Sequence, residues 1–154
     1  MTKNQSCVVG IDSLQWPDAL KIPSKRFRLF VAADVKSIDS RMLADFGEMA
    51  LRKGMVYFCA WGPDCERFHD ILDEVIVTDD LGKRRFVGPS AHDRVITAWH
   101  EKETLAEAVE FFTNWARPDE GSRPDSNYWV AISLQNDEWE SAIRQQLQHA
   151  DLSS

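Results

Sequence analysis

Apolar runs the length of β-strands alternate with amphipathic stretches the length of helices, and that rhythm constrains this chain more than anything else in it. Arg28 to Val35 (RLFVAADV), Met55 to Ala60, Arg94 to Trp99 and Asn127 to Leu134 are nearly continuous apolar segments. Runs of this kind fit strands buried on both faces, as in a parallel sheet. A shorter run, Cys7 to Ile11, reads as an edge strand within an N-terminal segment, residues 1–26, that Pro17 and Pro23 otherwise break into loop.

Helical signals fill the intervals. Ser37 or Asp39 can cap a helix whose stripe is Met42, Leu43, Phe46, Met49 and Ala50, with Arg52 and Lys53 in the last turn and Gly54 as its stop. Asp64 caps a second helix with Phe68, Ile71, Leu72 and Val75 on one face. Thr104 and Glu107 form a capping box ahead of Leu105, Ala108, Val109, Phe112 and Trp115, and Pro118 ends that helix before a polar loop over 117–126. A last helix begins at Asp137 and carries Trp139, Ile143 and Leu147; the tail after Ala150 is expected to fray. Between Val75 and Ala91 the pattern is open between a loop and a hairpin of Val75–Thr78 with Arg85–Val87.

The alternation predicts an α/β fold, a three-layer sandwich around a mainly parallel sheet of four to five strands. Numbering strands from Arg28, right-handed crossovers and analogy with flavodoxin-like folds predict the order 2-1-3-4. The switch point then falls between the strands ending at Val35 and Trp99, with Asp34 and His100 beside it. The 154 residues suit one domain, with 27–150 as its core.

Charge and cysteine usage narrow the partners. The formal charge of −7 and a pI of about 5.0 argue against nucleic acid, whose phosphates need a basic face. The basic clusters Lys21–Arg28 and Lys83–Arg85 are short, lie near acidic residues and read as solvated loops. An acidic surface suits a basic protein partner, such as a nuclease, by steering encounter. Three cysteines in no disulfide pattern, no secretory leader at the N-terminus and no apolar run of the roughly 20 residues a membrane helix needs point to the cytoplasm and away from membranes.

Two strands close on the same dipeptide, Ala60-Trp61 and Ala98-Trp99, and each then opens into a helical segment. Their ends gather Trp61, Gly62, Cys65, Trp99, His100 and Glu101 on the carboxyl rim of the sheet, where open α/β folds bind ligands. Cys65 at a helix N-terminus is favoured as thiolate, with His100 as base and Glu101 or Asp34 to orient the ring. Against it, Asp64 and Glu66 raise the thiol's pKa, and a small buried cysteine is the plainer reading. Cys65 and His69 are four apart on one helix face, but paired Cys-x2-Cys or His-x3-His units are missing, so no metal is expected. With seven glycines and neither a Walker loop nor a G-x-G-x-x-G, no nucleotide cofactor is expected either. Asp34, Trp61, Gly62 and Trp99 are the candidate ligand or partner contacts, although core packing explains the tryptophans first.

The segments VYFCAWGPDCERFHD (56–70) and DRVITAWHEKETLAEAVEFF (93–112) resemble a family of small, uncharacterised bacterial proteins. The shared pattern is Ala60-Trp61-Gly62-x-Asp64-Cys65, then Thr97-x-Trp99-His100-Glu101-x-Glu103, and the likeness covers about 26–134. The resemblance implies one compact domain from a bacterial source and carries no reaction. The function expected is therefore non-enzymatic binding of another protein, of the immunity or accessory type. The rivals are a small enzyme using Cys65 with His100, and a small-ligand domain at the rim.

Overall fold

The computed structural model describes residues 5–78, 95–114 and 128–153. In chain order they form β1 (Gln5–Ile11), β2 (Phe27–Ala32), α1 (Ser40–Lys53), β3 (Met55–Trp61), α2 (Cys65–Thr78), β4 (Ile96–His100), α3 (Leu105–Asn114), β5 (Tyr128–Leu134) and α4 (Asp137–Ser153).

The local punctuation follows the residues that predict it. Asp39 caps α1, its carboxylate accepting the Arg41 amide at 3.0 Å. Gly54 stops α1 in the left-handed region, φ 111°, and its amide donates back to Ala50 and Leu51. The Thr104–Glu107 box is closed both ways: the Thr104 amide donates to the Glu107 carboxylate at 2.9 Å, and the Glu107 amide to the Thr104 hydroxyl at 3.1 Å. Val75–Thr78, open to a strand on sequence, continues α2 instead. The stripe Phe68, Leu72, Val75 keeps helical spacing to the end, and that decides the matter. Residues 151–153, expected to fray, are the last turn of α4. The second half of the expected hairpin, Trp115, Pro118 and the 117–126 loop lie outside the described residues.

All five strands run parallel in one sheet, in the order β1-β5-β2-β3-β4. The α/β class and parallel sheet are as predicted; the order is not. In numbering from Arg28 it is 4-1-2-3 with β1 added at the far edge, because the last strand enters between β1 and β2 rather than beyond β4. Burial explains this placement. β5 (YWVAISL) is apolar enough to be buried at every position but its first, so it needs neighbours on both sides. β4 (ITAWH), with Thr97, Trp99 and His100, is buried at none and takes the edge of the described sheet. Asp34, just past β2, and His100, at the end of β4, therefore have β3 between them, and the predicted switch point between their strands does not exist.

Chain direction sets the layers. Stepping from β2 to β3 to β4 puts α1 and α2 on one face, and the return from β4 to β5 puts α3 on the other, as a constant crossover hand requires. The first face packs Leu29, Val31, Phe58 and Ala60 against Leu43, Phe46, Phe68 and Leu72, with the 12–26 connection adding Leu14 and Trp16. The second packs Phe30, Tyr57 and Trp129 against Val109, Phe112, Ile143 and Leu147 of α3 and α4. Among the described residues no helix is long and apolar enough to cross a membrane.

Candidate functional site

β3 and β4 pair so that Ala60 faces Trp99 and Trp61 faces His100. The carboxyl rim predicted from the two Ala-Trp endings is thus built, with one twist. The endings are out of step by one residue, and side chains alternate along a strand, so the two tryptophans point to opposite faces. Trp61 and His100 go to the α3/α4 side; Thr97 and Trp99 go to the α2 side.

Trp61 is committed to structure. Its indole N–H donates to the Glu103 carbonyl at 2.8 Å, and its ring meets Trp139 edge-to-face at 5.0 Å. His100 packs on Phe111, ring centroids 4.5 Å apart, with Nδ1 3.6 Å from the Glu103 carboxylate. The carboxylate beside the imidazole is therefore Glu103, three residues on, and not Glu101 or Asp34. His100 Nε2 is buried without a hydrogen-bond partner among the described residues.

Cys65 opens α2 after a tight turn. Gly62 has φ 123°, and a Cβ there would collide with the Ala33 carbonyl. That close approach lets Ala33 donate to the Trp61 carbonyl at 3.0 Å and Val35 to Pro63 at 3.2 Å, so the end of β2 is pinned to the turn. The turn then drops Cys65 into the α1/α2 core, 1% exposed. Burial pushes its thiol up to about 11, more than the nearby His100, Gly62 and Cys65 amides offset, and Glu101 adds to the rise. The part of His100 that meets the sulfur is its backbone N–H, while the imidazole lies across the sheet with α3. Cys65, His100 and Glu101 share the rim, but no Cys–His dyad is assembled. Cys59 is fully buried, and its thiol is pushed up by burial as well. Asp34 is exposed and makes a local turn, accepting the Lys36 amide at 3.1 Å.

A polar cluster that sequence reasoning missed joins α2 to β4. The Thr97 hydroxyl donates to Asp73 at 2.6 Å and lies 3.0 Å from His69 Nε2; His69 Nδ1 lies 3.0 Å from Asp70. Trp99 stands next to this cluster, its ring 6.4 Å from His69. Twenty-eight residues separate His69 from Thr97, and only the i, i+4 spacing of His69 with Asp73 hinted at a shared face. Across α2, Arg67 clasps the neighbouring loop. It donates to Asp64 at 2.8 Å, Ser40 at 2.9 Å, and the Val35 and Ile38 carbonyls at 2.5 and 2.8 Å. Its charge is spent inward. Arg67 also lines a shallow depression of about 380 Å³, together with Ile71 and the carboxylates Asp64, Glu66, Asp70, Glu74 and Glu101. Among the described residues, Glu66, Glu74 and Glu101 have no ion-pair partner. Trp99, 38% exposed, is one of the few large apolar side chains among the described residues that are exposed.

A family model matches residues 12–150. The chain belongs to the family described as Domain of unknown function (DUF7684). The DUF7684 match begins just after β1 and takes in β2 to β5 and all of α4 but its last residues. It therefore reaches beyond the 26–134 resemblance and includes the C-terminal helix. No curated protein and no solved structure matches the chain.

Proposed function

We propose that this protein is a non-catalytic binding domain, of the immunity or accessory type, that docks a basic protein partner on its α2–β4 face. The observation that carries the reading is Trp99, an exposed aromatic on the edge of the described sheet, next to α2, the helix that also carries Glu66 and Glu74. Tryptophan is a frequent anchor of protein interfaces, because one ring buries a large area at small entropic cost. Unpaired Glu66, Glu74 and Glu101 supply the field that steers a Lys/Arg-rich surface toward it. Nucleophilic catalysis by Cys65 is the weaker reading, since its sulfur is buried and protonated near neutral pH.

The test is affinity capture from a lysate of the source organism, comparing wild type with Trp99→Ala and with Glu66→Gln/Glu74→Gln/Glu101→Gln. A basic protein retained by wild type, lost with either variant and eluted by salt, is expected. If wild type and both variants retain the same proteins, or none, the proposal fails.

A further inference from the structure

The 12–26 connection holds a second candidate site, at the opposite end of α1 from its cap. Trp16, Pro17, Asp18, Leu20, Lys21 and Ile22 wall a cleft of about 350 Å³, closed on its other side by Met49 and Lys53 of α1. That volume lies in the range of small-molecule sites. Trp16 is anchored by Phe27 and Phe46, with ring centroids 5.7 and 5.8 Å away. Its indole N–H is buried with no acceptor among the described residues.

The lining has a definite chemical bias. Lys21 and Lys53 can only donate hydrogen bonds. Asp18 is the one acceptor side chain and the one negative charge, so two cations and one anion leave a single positive charge. Neither lysine has an ion-pair partner among the described residues. The remaining walls, Pro17, Leu20, Ile22 and Met49, are apolar. On sequence Lys21–Arg28 reads as a solvated loop; the fold sets it against the basic last turn of α1, where the Phe27 amide donates to the Gly54 carbonyl at 3.1 Å. In a chain of net charge −7 this is a local reversal of sign.

We propose that the cleft binds a small organic monoanion, a carboxylate carried on an apolar ring or short hydrocarbon body. The carboxylate lies between Lys21 and Lys53, and the body lies on Leu20, Ile22 and Met49. This site is independent of the α2–β4 face.

The experiment titrates the full-length chain with phenylacetate and follows the tryptophan indole cross-peaks in 1H–15N spectra. The Trp16 peak is identified by its loss in Trp16→Phe. A saturable shift of that peak is expected, with a dissociation constant of about 1 mM or tighter. Uncharged phenylacetamide should bind at least about tenfold more weakly, because the anion carries the recognition. Lys21→Gln/Lys53→Gln should weaken phenylacetate by about tenfold with the melting temperature unchanged, and Asp18→Asn should tighten it. The proposal is overturned by any of three results: no saturable shift up to about 20 mM, equal binding of the amide, or Asp18→Asn binding more weakly than wild type.

Discussion

Trp61 and Trp99 end neighbouring strands in the same dipeptide and meet opposite fates. The end of β3 is closed: Trp61 is hydrogen-bonded, packed edge-to-face on Trp139 and followed by a turn whose backbone touches the end of β2. The end of β4 is open, with Trp99 more than a third exposed over a polar cluster. Residue type does not separate them. Register does, because pairing Ala60 with Trp99 puts the two rings on opposite sides of the sheet. One side there is covered by α3 and α4; the other carries the acidic flank of α2.

The contrast can be broken most forcefully at Gly62. Gly62→Ala places a Cβ on the Ala33 carbonyl at a φ that alanine avoids, so a loss of about 3 kcal/mol or more is expected in urea denaturation. A cost under about 1 kcal/mol would mean that the closed end is looser than described. Trp61→Ala comes next, at about 3 kcal/mol for the lost ring packing, whereas Trp61→Phe should cost about 1 kcal/mol for the hydrogen bond alone.

Cys65 sharpens the closed end through pH. Its thiol rises from the ordinary 9.0 to about 11, so between those values the unfolded chain has released a proton that the native state still holds. Stability therefore falls as pH rises through that window, by on the order of 3 kcal/mol from Cys65, with buried Cys59 adding its own fall, and Cys65→Ser should make the slope shallower by the Cys65 share. Iodoacetamide should label Cys65 more slowly than a free thiol at pH 8; equal rates would return it to candidacy as a nucleophile. The smallest effect belongs to the open end. Trp99→Ala should change stability by no more than about 0.5 kcal/mol while removing partner capture. A large loss of stability would place Trp99 in the core and end the comparison.

The sequence made legible what is decided within a few residues. Asp39, Gly54 and the Thr104–Glu107 box each act inside one turn of chain, and all three do what their types predict. Strand order was not legible by the same means, since the place of β5 depends on partners 100 residues and more away. A clue was nonetheless present: the one polar side chain within the apolar run of β5 is the small Ser133, whereas β4 carries Thr97 and His100. The candidate site divides in the same way. The rim was visible as a place from its two Ala-Trp endings, yet which side each residue serves follows from a one-residue offset in pairing. His69 and Thr97 meet only through the packing of α2 on β4. The Trp16 cleft was hidden because its two lysines come from segments that read separately as a loop and a helix end.

The position of β5 also bears on the order in which the chain can assemble. β1 pairs with β5 and with no other described strand, and their first paired residues, Gln5 and Tyr128, are separated by most of the sequence. During synthesis β2, β3 and β4 can pair as they emerge, but β1 must wait for the last strand. Until then both edges of β1 and the free edge of β2 stand exposed to anything that can add a strand. Closure of this sheet is thus a late step with a costly loop to shut, and a nascent chain stopped before Tyr128 is the species most in need of a chaperone.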